Sequence, residues 1–133
     1  MNDLVTFLKA RIDRDEETAH AATSGPWTTM GQRVLDPSPP SDRLGIGMAV
    51  GHAAASADYN ETAAHIARHD PTRVLREAEA KRRLITIHRR YTDEPGQACL
   101  GCAGGIEWES CPVLPLLALP YADHPDYRPE WRP

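Results

Sequence analysis

The sequence predicts an α+β fold, mostly helical, with one β-hairpin and a cysteine-bearing loop. Three observations predict it. Apolar residues recur at helical spacing near the amino terminus and again over 71–91. A stretch rich in Thr, Val, Ile and Met, broken by prolines, fills 27–50. Glycines and cysteines then gather over 92–111. The 133 residues suit a single domain, 1–133, that buries about two thirds of its unfolded surface. Hydrophobic residues make up 41% of the chain but aromatic ones only 6%, so Leu, Ile, Val and Ala must fill the core.

Residues 1–21 read as a helix. Asp3 can cap it, and Leu4, Phe7, Leu8, Ile12 and Ala19 fall on one face, opposite a charged face from Arg11 to Glu17. "TSGPW" stops it. Residues 27–50 read as a hairpin, with strands Trp27 to Leu35 and Leu44 to Val50 joined by "DPSPPSD". A lone hairpin is marginal in water, so it must pack on helices. Gly45, Gly47 and Gly51 lack the Gly-Lys-Ser/Thr or G-x-G-x-x-G context of a phosphate loop, so bulges or close packing explain them better.

Residues 57–91 hold two helices. The first runs from about Ala57 to Arg68. The second is the clearest in the chain: Asp70 is a cap, Pro71 takes the first position, and Val74, Ala78, Ile85 and His88 form a stripe. Leu75, Leu84 and Ile87 broaden that stripe, and Lys81 interrupts it with a stem able to lie along apolar surface. Residues 92–133 comprise a loop, a short buried helix from Cys111 to about Leu119, and a proline-punctuated tail with its aromatics tucked in.

Four residues in the second half have the types and spacing of a metal site: His88-x10-Cys99-x2-Cys102-x8-Cys111. A C-x2-C turn supplies two thiolates from one knuckle, and Gly101, Gly104 and Gly105 supply backbone freedom. Cys111, opening a helix, meets the positive end of its dipole. The reading is a structural zinc ion on His88, Cys99, Cys102 and Cys111, with His124 as substitute for His88. This makes 92–110, with Cys111 at the start of the helix that follows, a zinc-binding loop. A thiol–disulfide centre and inert cysteines stay open as alternatives. A closed set of three cysteines and one histidine leaves no position for substrate, so it points to folding rather than catalysis.

Other chemistries find less. His65 and His69 stand one helical turn apart, but Ile66 replaces the zincin glutamate. A metal-dependent hydrolase using His65, His69 and Asp70 is an alternative function, although capping already accounts for Asp70. No H-x-E precedes the C-x2-C, as a deaminase requires, and no G-x-S-x-G elbow exists. The long helix carries Arg73, Arg76, Lys81, Arg82, Arg83, Arg89 and Arg90 against Glu77 and Glu79, so a DNA-binding regulator acting through 71–91 is a further alternative. Against it, the chain has net charge −4 and a pI of about 5.8, and a solvated face explains the charges.

No apolar run reaches the length of a membrane span, and the first residues lack a signal-peptide core. With an odd number of cysteines, a reducing, cytoplasmic setting is expected. The expected partner is a protein, with nucleic acid second and no membrane. Oligomeric state is not legible.

At "HIARHDPTRVLREAEAKRRLITIH", C-x2-C and "LLALPYADHPDYRPEW", the chain resembles a family of small uncharacterised proteins of actinomycetes and their phages, classed as a domain of unknown function. "LVTFLKARIDRDEETA" and "GPW" are similar too, so the likeness spans most of the chain and is loosest over 28–55. His88, Cys99, Cys102 and Cys111 match the family's histidine and cysteines, and His124, Pro125 and Tyr127 match its closing motif. The resemblance implies an intracellular actinobacterial or phage setting and assigns no activity. The function expected is therefore a small zinc-stabilised interaction or regulatory protein, more a binding module than an enzyme.

Overall fold

The computed structural model describes residues 1–37 and 53–133. Within them lie four α-helices, α1 (Asn2–Ala21), α2 (Asn60–Arg68), α3 (Pro71–Ile87) and α4 (Val113–Ala118). A three-stranded antiparallel sheet has the order β1 (Thr28–Met30), β2 (Arg33–Leu35), β3 (Ala53–Ser56). The expected α+β class holds. The chain forms two compact units, Met1–Arg14 with Ala78–Pro133, and Asp15–Glu77. Helices α1 and α3 lend residues to both.

The first unit is built around the apolar face of α1. Leu4, Phe7, Leu8 and Ile12 are buried, as their spacing predicts, and join Ala78 and Ile85 of α3, Leu114 and Ala118 of α4, and Trp108 and Trp131. Burying a Leu or Ile side chain contributes about 1.5–3 kcal/mol, so this face alone outweighs any surface ion pair here. Asp3 lies inside the first turn of α1 rather than ahead of it as a cap, and pairs with Arg128 at 2.8 Å. Ile87 departs from the expected stripe: it is 54% exposed, because at about 100° per residue it points away from Ala78, Ile85 and His88. Lys81 donates to the Tyr121 hydroxyl at 2.9 Å with its ammonium 5.0 Å from that ring's centre, so the interrupting charge is absorbed.

Helix α4 is shorter than expected, six residues, and is preceded by a 3-10 turn at Trp108–Ser110 and followed by another at Leu119–Tyr121. Pro112 stands at its N-cap, so Cys111 precedes the helix instead of opening it. The tail behaves as its aromatics suggest. Trp131 is buried, and the Phe7 ring lies 5.1 Å from Trp131, 6.1 Å from Tyr127 and 6.4 Å from Tyr121, centre to centre.

In the second unit, β1 and β2 are themselves a tight hairpin, with Met30 paired to Arg33 across Gly31 and Gln32. Of these two turn residues Gly31 has positive φ, +60°, and Gln32 does not, as in a type II′ turn. The expected first strand, Trp27 to Leu35, is therefore a hairpin in its own right. The expected second strand, Leu44 to Val50, and Gly45, Gly47 and Gly51 lie outside the described residues. Ala53–Ser56, which the sequence does not mark as a strand, pairs with β2 through a shift at Val34/Leu35. Helix α2 packs on β1 and β2, burying Ala63 and Val34. Asp70 caps α3 as expected: its Oδ1 accepts the Arg73 amide at 2.8 Å, and its Oδ2 accepts the Trp27 amide at 2.9 Å.

Candidate metal centre

Helix α3 fixes the first donor. The His88 amide donates to the Leu84 carbonyl at 2.9 Å, extending the last turn by one bond, and the ring is buried. The Trp108 indole then donates to the His88 carbonyl at 2.7 Å, so the carbonyl that the helix leaves open is closed from outside it.

A minimal antiparallel ladder carries the knuckle. Leu100 donates to Arg89 at 3.0 Å, Tyr91 to Ala98 at 3.2 Å, Cys99 to Ile106 at 2.8 Å and Trp108 to Gln97 at 2.9 Å. Residues 97–100 are thus held on both sides, and the Cys102 amide returns to the Cys99 carbonyl at 3.3 Å to make the turn. Gly104 and Gly105, at φ +80° and +72°, supply the left-handed backbone that carries the chain back. Gly101 acts differently from what its neighbours suggest. Its φ is not positive, but a Cβ there would lie 2.7 Å from His88 Nδ1 and 2.8 Å from two ring carbons. It is small because the imidazole lies against it.

These elements bring His88, Cys99, Cys102 and Cys111 together, with all four donor atoms within 4.8 Å of one another. His88 Nδ1 lies 3.6 Å from Cys99 Sγ and 3.5 Å from each of the other two sulfurs, and Cys102 Sγ is 3.7 Å from Cys111 Sγ. A tetrahedral centre with metal–sulfur bonds of about 2.3 Å and a metal–nitrogen bond of about 2.0 Å has edges of about 3.8 Å and 3.5 Å. The observed edges therefore fit a metal ion at their centre. All three cysteines are free, and 3.7 Å between sulfurs is far from a disulfide bond. Burial, together with hydrogen bonds and charge from Cys99 and Cys111, pushes the Cys102 thiol up to about 12. Without a cation that setting opposes the Cys102 thiolate; a divalent ion reverses the preference.

His124 stays outside the cluster, against the Arg11 guanidinium and the Phe7 ring, so the fourth donor gathered is His88. His65 and His69 stack with ring centres 4.4 Å apart, and His69 Nδ1 engages the His65 carbonyl at 2.9 Å. Both oxygens of Asp70 are taken by backbone amides, and among the described residues no group of three candidate ligands forms there. The basic residues of 71–91 are largely engaged: Arg73 with Glu77 at 2.6 Å, Arg82 with Asp13, Arg83 with Glu79. Arg90 is an architectural residue that sequence reasoning assigned to the charged surface. It lies past the end of α3, 4.5 Å from the Trp108 ring centre, and donates to Asn2 and the Asp93 carbonyl. Trp108 and Gly101 were likewise missed as supports of His88. Only their closeness to the cysteines could have signalled them.

Fold and site together define an α+β chain with a cluster of three cysteines and one histidine able to hold a metal ion. The chain belongs to DUF6221, a family of unknown function whose match covers residues 1–133. Comparison with curated proteins and with solved structures found no match.

Proposed function

We propose that the protein is a small zinc-stabilised interaction module of a reducing, cytoplasmic setting, with the ion on His88, Cys99, Cys102 and Cys111 and a protein as partner. The observation that carries the zinc reading is four donor separations of 3.5 to 3.7 Å in a group of three sulfurs and one nitrogen whose donor atoms all lie within 4.8 Å of one another. Soft thiolates with one imidazole in a closed tetrahedron favour zinc over oxygen-seeking ions and leave no position for substrate. Bound there, the ion would supply cross-linking of α3, the knuckle and the segment before α4.

The interaction reading rests on what surrounds the ion. Leu100 and Ile106, on the ladder beside buried Cys99, are 47% and 38% exposed, and Tyr91 is 69% exposed. Exposed apolar side chains on a pinned ladder suit a protein contact better than catalysis.

The test is metal content of the purified chain by mass spectrometry, with Cys99→Ser alongside. About one zinc per chain, lost with cooperative folding in the variant, is the expected result. A metal-free chain with a reversible Cys99–Cys102 disulfide would overturn the zinc reading in favour of redox chemistry. The interaction is tested by affinity capture with Leu100→Asp: capture should be lost while zinc content stays unchanged.

A further inference from the structure

A cleft of about 590 Å³ lies between one side of α1, from Asp3 to Arg11, and residues 125–131, within the first unit and away from the cysteines. That size falls within the range of small-molecule sites. One wall is aromatic, formed by Phe7, Tyr127 and Trp131. Arg128, at the rim, is paired with Asp3. Arg11, in the wall, is half-buried and has no carboxylate partner among the described residues.

Two donors here are unused. Arg11 Nε and the Tyr127 hydroxyl are both buried from solvent and lack a hydrogen-bond partner among the described residues. His124 does not settle the account of Arg11. Its Nε2 faces the guanidinium while its Nδ1 accepts the Asp126 amide at 3.1 Å, and a neutral imidazole offers only one acceptor nitrogen. A half-buried cation with an idle N–H, beside an idle buried hydroxyl, leaves desolvation uncompensated that an oxyanion would recover.

We propose that this cleft binds a small organic anion, its carboxylate or phosphate on Arg11 and Tyr127 and its flat apolar body against Phe7 and Trp131. Neither Arg11 Nε nor the Tyr127 hydroxyl has an existing hydrogen bond that binding would have to break. The proposal is independent of which metal the cysteines hold.

The experiment titrates the full, metal-loaded chain with benzoate, phenyl phosphate, inorganic phosphate and benzyl alcohol, following amide resonances by NMR. Benzoate or phenyl phosphate should shift residues 3–11 and 124–131, and which of the two binds more tightly separates carboxylate from phosphate. Arg11→Gln should weaken that binding by about 10- to 100-fold, the range for losing a charged hydrogen bond. Tyr127→Phe should weaken it less, and Arg11→Lys should retain part of it. Circular dichroism of each variant separates lost binding from lost fold. Benzyl alcohol binding as tightly as benzoate, inorganic phosphate binding as tightly as phenyl phosphate, or no shifts with any probe would each overturn the proposal.

Discussion

Gly101 shows how a single hydrogen atom can decide a metal site. The approach of the His88 ring to its Cα leaves no room for a methyl group, since a Cβ at 2.7 Å from Nδ1 must push the imidazole away from the three sulfurs. Gly101→Ala is expected to lower metal affinity by roughly 10- to 100-fold, the range for disturbing the support of a ligand. Competition against a chromophoric chelator reads it directly. Cys102 sets the response to acidity. Its thiol, held near 12 by burial and by the neighbouring sulfurs, stays protonated at neutral pH until a cation displaces the proton. Apparent metal affinity should therefore rise with pH, by roughly tenfold per unit for each proton displaced, and fall on acidification. Chelator competition at pH 6 and pH 8 checks the sign. The residue types and spacing of the four donors could be read from the sequence because thiolates and imidazole announce themselves. The steric duty of Gly101 could not, because glycine in a knuckle suggests backbone torsion first.

Among the elements, α3 is the one whose start was most legible, and the reason is physical. Asp-Pro at 70–71 combines a cap with a pre-set φ, and no tertiary contact is needed to recognise it. What the sequence withheld is that the other carboxylate oxygen of Asp70 holds the Trp27 amide, a bond across 43 residues. Asp70→Ala removes a cap and orphans an amide together, and should cost about 2 kcal/mol or more, whereas Asn, which keeps a capping oxygen, should cost less. Chemical denaturation of the two variants tests the order. The sheet was legible in kind and not in register. "DPSPPSD" drew attention as a turn, while the Gly31-Gln32 pair that closes β1 on β2 is a two-residue signal easily lost beside it. Strand β3 is Ala-Ala-Ala-Ser, with no branched or aromatic residue, so only pairing with β2 makes it a strand.

At the scale of the molecule, two of the candidate metal donors are also core residues: Cys99 and Cys111 sit in the same cluster as Leu8, Ile12, Trp108 and Leu114. Apparent binding energies of structural zinc, about 10–16 kcal/mol, match or exceed the roughly 5–15 kcal/mol net stability typical of a domain. Chelation should therefore unfold the unit that contains them, and hydrogen exchange over 97–118 should rise towards the unfolded rate on adding EDTA and recover with metal. The α+β class and the core face of α1 were legible because hydrophobic period survives in any context. The division into two units was not, since the first is assembled from residues 1–14 and 78–133, far apart in the chain. That division has a consequence for synthesis on the ribosome. Leu4, Phe7, Leu8 and Ile12 are made first, yet Trp108, Leu114 and Trp131, which share their core, emerge about a hundred residues later. During translation that apolar stripe has to wait uncovered while 15–77 is made, and the half-finished chain is more exposed to aggregation than the finished one.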